Sequence, residues 1–466
     1  MIIREGEIAA MSKKIPLFSL VLLIVAAIDS IRNLPAVALF GSSLIFFFLF
    51  SAVIFLVPIS LISAELASRF PEEGGVFHWI RHAFGKRMAV LAVWLQWINT
   101  MVWYPSMLSF IAGTAAYLYD PALAQSKLFL CTVILVIFWT LTLVNLRGIR
   151  VSAKINSVCG TIGTLLPMTF LIVLAGYWFF SGKPLAISFG MHDLLPHLGA
   201  GESWISLVAI MASFLGMELA GVHVTDIEEP RKNFPKAMGL SVLILLTTMI
   251  LGCLSIAIII PDQKIRLVDG IMQTFSAFFA AFHLTPFLPL LTLLIIFGSV
   301  GGIINWLVSP AKGLLQAAEY GFLPPFFSVK NRHGVPTRLL IGQAVVVSLI
   351  CLLFILLPNI NSFYWFLTAL STELYMIMYI LLFLAALKLC RPTSNQGVYS
   401  IPKGLRTLSC VLGLFACLLT IVVSYFPPTE IQMGIGYFII FIVGTVASIA
   451  PVGLLWMYEK KRVGKR

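Results

Sequence analysis

Charge is the first thing this chain is short of. Only 11% of its 466 residues are Asp, Glu, Lys or Arg, against about 25% in soluble domains. That scarcity excludes an ordinary globular enzyme, which at this length would need two or three cores joined by polar linkers; no such linker occurs. Paired cysteines are also missing. The seven present, Cys131, Cys159, Cys253, Cys351, Cys390, Cys410 and Cys417, lie in or beside apolar blocks without CxxC spacing. They read as small apolar residues, not as a disulfide or metal framework. The G-x-S-x-G, H-E-x-x-H and G-x-x-x-x-G-K-[ST] patterns are absent, which argues against an enzyme and against a nucleotide-driven pump. His78 and His82 have i,i+4 spacing but no third ligand nearby, so neither a metal site nor any other cofactor is expected.

What the chain has is hydrocarbon. It is 60% hydrophobic with a mean hydropathy of +1.00, arranged in blocks of about 20 residues, the length that crosses about 30 Å of lipid. Met1–Pro16 does not read as a secretory signal, because the apolar stretch after it is too long and no cleavage site closes it. Twelve runs emerge, near 16–40, 43–67, 86–118, 127–146, 156–181, 203–226, 237–261, 284–318, 338–357, 362–389, 404–426 and 434–458. Of the 31 lysines and arginines, 26 fall in the tails and even-numbered loops or in the run ends that border them, 4 in the opposite loops, and Arg32 deep inside a run. By the positive-inside rule both termini are cytoplasmic. The same distribution explains the net charge of +12 through topology and contact with an anionic lipid bilayer, with no nucleic acid partner.

The first and sixth runs look irregular in the same way. Run one breaks at Asp29-Ser-Ile-Arg-Asn-Leu-Pro35, where proline stops the helical ladder. Run six carries Gly216-Met-Glu-Leu-Ala-Gly221, with Glu218 between two glycines. Interrupted runs five apart are what two inverted five-helix repeats produce. Irregular backbone at membrane depth is tolerated where protein encloses it.

Motifs then add a resemblance. Ala64-Glu-Leu-Ala-Ser-Arg-Phe-Pro-Glu-Glu-Gly-Gly-Val-Phe-His-Trp-Ile-Arg-His-Ala-Phe-Gly85 resembles the region between spans 2 and 3 of the amino acid–polyamine–organocation (APC) superfamily. Ser213–Glu218, Glu228–Ala237, Ser309–Gly313 and Asn331–Pro336 resemble its later motifs. The nearest likeness is to the bacterial glutamate/γ-aminobutyrate antiporter family, over nearly all twelve runs. The resemblance implies an all-α membrane protein of twelve transmembrane helices: inverted repeats at about 16–181 and 203–389 plus two further helices over 404–458. Short tails, 1–15 and 459–466, flank this single transporter domain. It implies a secondary amino acid transporter of the inner membrane, an exchanger working by alternating access on a small amino acid or amine. Cationic amino acid or polyamine exchange and proton symport are the alternatives; a non-transporting sensor is the reading from another class. A homodimer is left open.

Carried over residue by residue, Glu218, Trp306, Tyr375 and Tyr379 match residues lining the antiporters' substrate path, and Asn33 and Gly216 sit in the two breaks beside them. Arg32 stands where the antiporters have tyrosine and Gly302 where they have glutamate; their C-terminal plug has no counterpart before Arg466. Charges at membrane depth are costly, so Asp29, Arg32, Glu218 and Glu373 are expected to face a protein-enclosed path. Asp29 and Arg32, three apart, share a face in an unbroken helix and either pair with each other or leave Arg32 to take a substrate carboxylate. Asp29, Glu218 and Glu373 are the candidates for proton coupling, with His223 a weaker one. Glu65, Arg69, Glu72, Glu73 and Arg81 are expected to gate or brace the cytoplasmic side.

Overall fold

The computed structural model describes residues 14–70, 75–147, 161–195, 201–219, 221, 227–321, 323–356, 359–390, 399–426 and 435–463. Cys159, His223, Glu72 and Glu73 lie outside them. The described residues form helices, with two isolated bridges, Ile15 to Ile227 and Lys330 to Pro336, as the extended pairings.

Helix occupies each apolar run. The first is split into α1 (Leu17–Ile28) and α2 (Leu34–Ala38), joined by extended residues and a 3-10 turn at Ile31–Asn33. Next come α3 (Gly41–Arg69), α4 (Val76–Phe84), α5 (Lys86–Ala116) and α6 (Lys127–Leu146). A π-helical turn at Thr161–Leu165 leads into α7 (Leu166–Phe180), followed by α8 (Gly201–Ser213) and α9 (Pro230–Ala257). Then follow α10 (Gly270–Ala281), α11 (Leu288–Glu319), α12 (Thr337–Leu356), α13 (Ile360–Leu389), α14 (Lys403–Ser424) and α15 (Ile435–Val463).

Among the described residues, eight helical stretches are long and apolar enough to cross a membrane, accompanied by four shorter apolar helices. This is a multi-pass membrane protein. Its outward faces are apolar too: Leu243, Leu349, Phe415, Val422 and Ile439 are exposed, as lipid contact requires and water would penalise. α5 is absent from the eight although it has 31 residues. Gln96, Asn99, Thr100, Ser106 and Ser109 dilute its hydropathy, and all five are buried. Polar residues turned inward mark α5 as central, and it packs on α13 and α11. Of α13's apolar window 72% is buried, against 11% for α15, so the core lies around α5 and α13 while α15 is peripheral.

Two helices are too short to span: α4, presumed from the sequence where it carries His78 and His82, and α10, which was not expected. α4 and α10 have 9 and 12 residues, too few to span the hydrocarbon, so hydropathy alone passes them over as loop. Elsewhere close packing is set by small residues. A Cβ on Gly163 or Gly298 would sit within 2.6 Å of the other's backbone, so larger side chains cannot occupy the place where α11 crosses the turn before α7.

Candidate functional site

Glu218 is fully buried, and the sixth run unwinds around it. α8 ends at Ser213, and Glu218 then sits on a short 3-10 turn held by Leu219 N–H donating to the Gly216 carbonyl at 3.0 Å. Gly216 has φ +104°, and a Cβ there would lie 3.1 Å from the Trp306 ring. Both facts restrict the position to glycine. Its N–H, freed from the helical ladder, donates to the Tyr379 hydroxyl at 2.9 Å.

Around the carboxylate stand neutral donors. The Tyr375 hydroxyl donates to Oε1 at 2.6 Å, the Tyr379 hydroxyl to Oε2 at 2.5 Å, and Gln96 Nε2 to Oε1 at 3.0 Å. Tyr375 and Tyr379 share a face of α13 one turn apart, with rings 5.1 Å between centroids; Phe55 and Trp306 meet their edges. Among the described residues no cation contacts Glu218. A buried carboxylate held only by neutral donors can accept a proton or an ammonium group without first breaking an ion pair. The structure thus brings Glu218, Gly216, Trp306, Tyr375 and Tyr379 together. Gln96 was missed because it does not ionise; an amide in the middle of Trp94-Leu-Gln-Trp-Ile was the available signal.

Arg32 is buried elsewhere. Its Nη1 donates to Ser106 Oγ at 3.0 Å and to the Tyr364 hydroxyl at 3.1 Å. Its guanidinium lies 5.6 Å from the Trp103 ring and 5.4 Å from that of Tyr364, within cation–π range. The expected pairing with Asp29 is not formed: among the described residues no carboxylate lies within ion-pair distance of Arg32. Asp29 and Ser30 are extended (ψ 113° and 112°), which turns the two side chains apart and removes the shared helical face. Asp29 instead accepts from Thr248 Oγ1 on α9 at 2.8 Å, and its Oδ1 has no partner. Asn33 is buried at the cap of α2, without a capping bond.

Glu373 also departs from expectation. Two residues from Tyr375 on α13, it points the other way and accepts from the Tyr425 hydroxyl at 2.8 Å and Thr445 Oγ1 at 2.7 Å. Its partners thus belong to α14 and α15, not to the group around Glu218.

A third cluster closes the end of α3. Glu65, fully buried, accepts from Arg69 Nη2 at 2.7 Å and from Arg406 at 2.8 Å (Nε) and 2.7 Å (Nη2). Ser400 Oγ joins at 3.2 Å, and Tyr399 N–H donates to Ser68 Oγ at 2.9 Å. This ties the approach to α14 onto α3. Burial and the nearby Glu65 carboxylate raise the Tyr399 phenol above its ordinary pKa.

At the opposite end the loop before α10 is fixed by buried Asp269, which accepts from the Tyr117 hydroxyl at 2.9 Å and pairs with Arg266 at 3.0 Å. Burial raises the Asp269 carboxyl above its ordinary pKa, opposed by Arg266 and the Tyr117 hydroxyl.

The amino acid permease family model matches residues 15–448. An uncharacterised transporter of Legionella pneumophila is 36% identical, over 97% of each chain. A glutamate/gamma-aminobutyrate antiporter of Lactococcus lactis is 27% identical, covering 96% of this chain and 92% of its own. A probable agmatine/putrescine antiporter of the same species is 25% identical over 81% and 80%. The solved structure of MhsT in complex with L-phenylalanine superposes with a TM-score of 0.59 at 13% identity, over 87% of this chain and 98% of that one; this likeness shows a shared fold.

Proposed function

This chain belongs to the amino acid permease family and is a membrane transporter, and from that premise we propose that it is an exchanger of amino acids and their amine products. The observation that carries this reading is the Glu218 cage: a buried carboxylate beside an unwound helix, held by two phenols and an amide and, among the described residues, without a cation. An ammonium group fits such a place, since it can take over the Glu218 oxygens while the tyrosine rings face its charge. Glutamate for γ-aminobutyrate is the exchange favoured by the 27% relative. The acidic cage and the 25% relative favour polyamine exchange as a second reading.

Alternating access follows from the two interrupted helices, which let the bundle rock about a fixed mid-depth site. Both termini lie in the cytoplasm of a bacterial inner membrane on the charge count, and external labelling of Lys460→Cys in intact cells would contradict that orientation. Proteoliposomes test the function. Uptake of labelled glutamate or γ-aminobutyrate should require an internal preload of the partner compound. Uptake driven by a proton gradient without preload would replace exchange by symport, and none from a broad amino acid and amine panel would favour a sensor.

A further inference from the structure

Arg32 sits at a different level of the bundle from Glu218. Ser106, which touches Arg32, lies ten residues along α5 from Gln96, which touches Glu218. Tyr364, the other contact of Arg32, lies eleven residues along α13 from Tyr375. At 1.5 Å rise per residue, the residues that hold Arg32 and those that hold Glu218 stand roughly 15 Å apart along both helices. The amine and carboxylate of even an extended γ-amino acid are only about 5–6 Å apart, well short of that spacing, so the two stations are met one at a time. Arg32 lies toward the end that holds Asp269. There Leu267 N–H donates to Asn361 at 3.4 Å, three residues before Tyr364, and a Cβ on Gly270 would lie 2.9 Å from Pro35, three after Arg32.

The guanidinium is unfinished in a specific way. Nη1 carries both of its hydrogen bonds, while buried Nε has none. The unfilled Nε edge is one that a carboxylate takes with two parallel hydrogen bonds. The Trp103 and Tyr364 rings hold the guanidinium in the core but do not neutralise it, so the missing partner is an anion.

We propose that Arg32, with Ser106, Trp103 and Tyr364, forms a separate carboxylate station, so that the molecules this protein carries must bear a carboxylate. The proposal deepens the transport reading and rests on it. A substrate meets Arg32 by its acid group and reaches Glu218 by its amine at a different stage of passage. Polyamines, having only cations, are repelled at Arg32, which removes the polyamine alternative.

Isothermal titration calorimetry on the detergent-purified full chain, with γ-aminobutyrate, butyrate, n-butylamine and putrescine, tests this. γ-Aminobutyrate and butyrate should bind, and the two amines should not compete with butyrate. Arg32→Gln should weaken butyrate binding at least tenfold, and Arg32→Lys severalfold, because lysine keeps the charge but lacks the fork. Lys232→Gln, at an exposed charge that pairs with Glu229 at the start of α9, should leave butyrate affinity within twofold of wild type. If Arg32→Gln is not monodisperse, Arg32→Lys carries the test. Putrescine displacing butyrate, butyrate binding that ignores both Arg32 variants, or a loss at Lys232→Gln equal to that at Arg32→Gln would each overturn the station. Counterflow in proteoliposomes separates the two ideas. Butyrate binding without any transport defeats the exchange reading and spares the station; putrescine exchange defeats the station and spares transport.

Discussion

Glu65 and Glu218 are both fully buried glutamates, yet they are finished differently. Glu65 is gripped by two guanidiniums, Arg69 and Arg406, and has nothing left to offer a ligand. Glu218 is held by hydroxyls and an amide, so its charge remains available. Asp269 lies between these cases, with one guanidinium and one phenol. Burial alone therefore does not mark a functional carboxylate; the charge of its partners does. A paired ion braces the fold, whereas an unpaired one costs stability and can do work at a ligand.

The largest effect is expected at the braced end. Arg406→Ala leaves Glu65 short of a partner and should cost about 3–5 kcal/mol, read as a lowered melting midpoint in detergent. Adding Glu65→Gln should restore much of the loss. If the single change is silent, Glu65 belongs with Glu218 and the comparison breaks.

Glu218→Gln should do the opposite, leaving the protein monodisperse while slowing exchange by roughly tenfold to a hundredfold, the value of one charged hydrogen-bonding group. Wild-type counterflow rates in this variant would reduce Glu218 to a structural residue. Within the cage, Tyr379→Phe should slow exchange more than Tyr375→Phe, by a few-fold each, because the Tyr379 hydroxyl accepts from Gly216 at 2.9 Å whereas that of Tyr375 accepts from Gln96 only at 3.5 Å. Equal rates in the two would mean that the Gly216 contact carries no weight.

The smallest expected effect concerns Asp269, whose carboxyl is raised above its ordinary pKa chiefly by burial. A carboxyl raised in the folded state binds its proton more tightly there than when unfolded. Its contribution is therefore full below the ordinary aspartate pKa of about 3.9 and fades as pH climbs through the folded value. Hydrogen exchange over 262–281 should accelerate through that window beyond its intrinsic pH dependence, and Asp269→Asn should flatten the added slope. An unchanged slope in the variant would assign the dependence to another group.

Much of the fold was readable because lipid imposes one simple length rule. Runs of about 20 apolar residues became helices nearly where hydropathy put them, and the Asp29–Pro35 and Gly216–Gly221 breaks follow from backbone chemistry in the sequence. α10 was not legible, because a helix shorter than the bilayer leaves no such signature, and α4 was presumed only where it carries His78 and His82. Part of the Glu218 group was legible too, since a glutamate flanked by glycines at membrane depth has few tolerable surroundings; Gln96, uncharged, gave only a faint signal.

By itself, then, the sequence determined the membrane environment, the helical runs and the burial of Asp29, Arg32, Glu218 and Glu373 inside those runs, because each depends on local composition or on spacing along one helix; buried Asp269 and Arg406 it did not mark. Only the tertiary structure decided which charges meet. Extended backbone at Asp29 and Ser30 turns Asp29 away from Arg32. A two-residue offset on α13 turns Glu373 toward α14 and α15 while Tyr375 turns toward Glu218. Arg406 reaches Glu65 across 341 residues. Such pairings depend on helix rotation and on contacts between elements far apart in the chain. Hydropathy along one dimension carries no record of either.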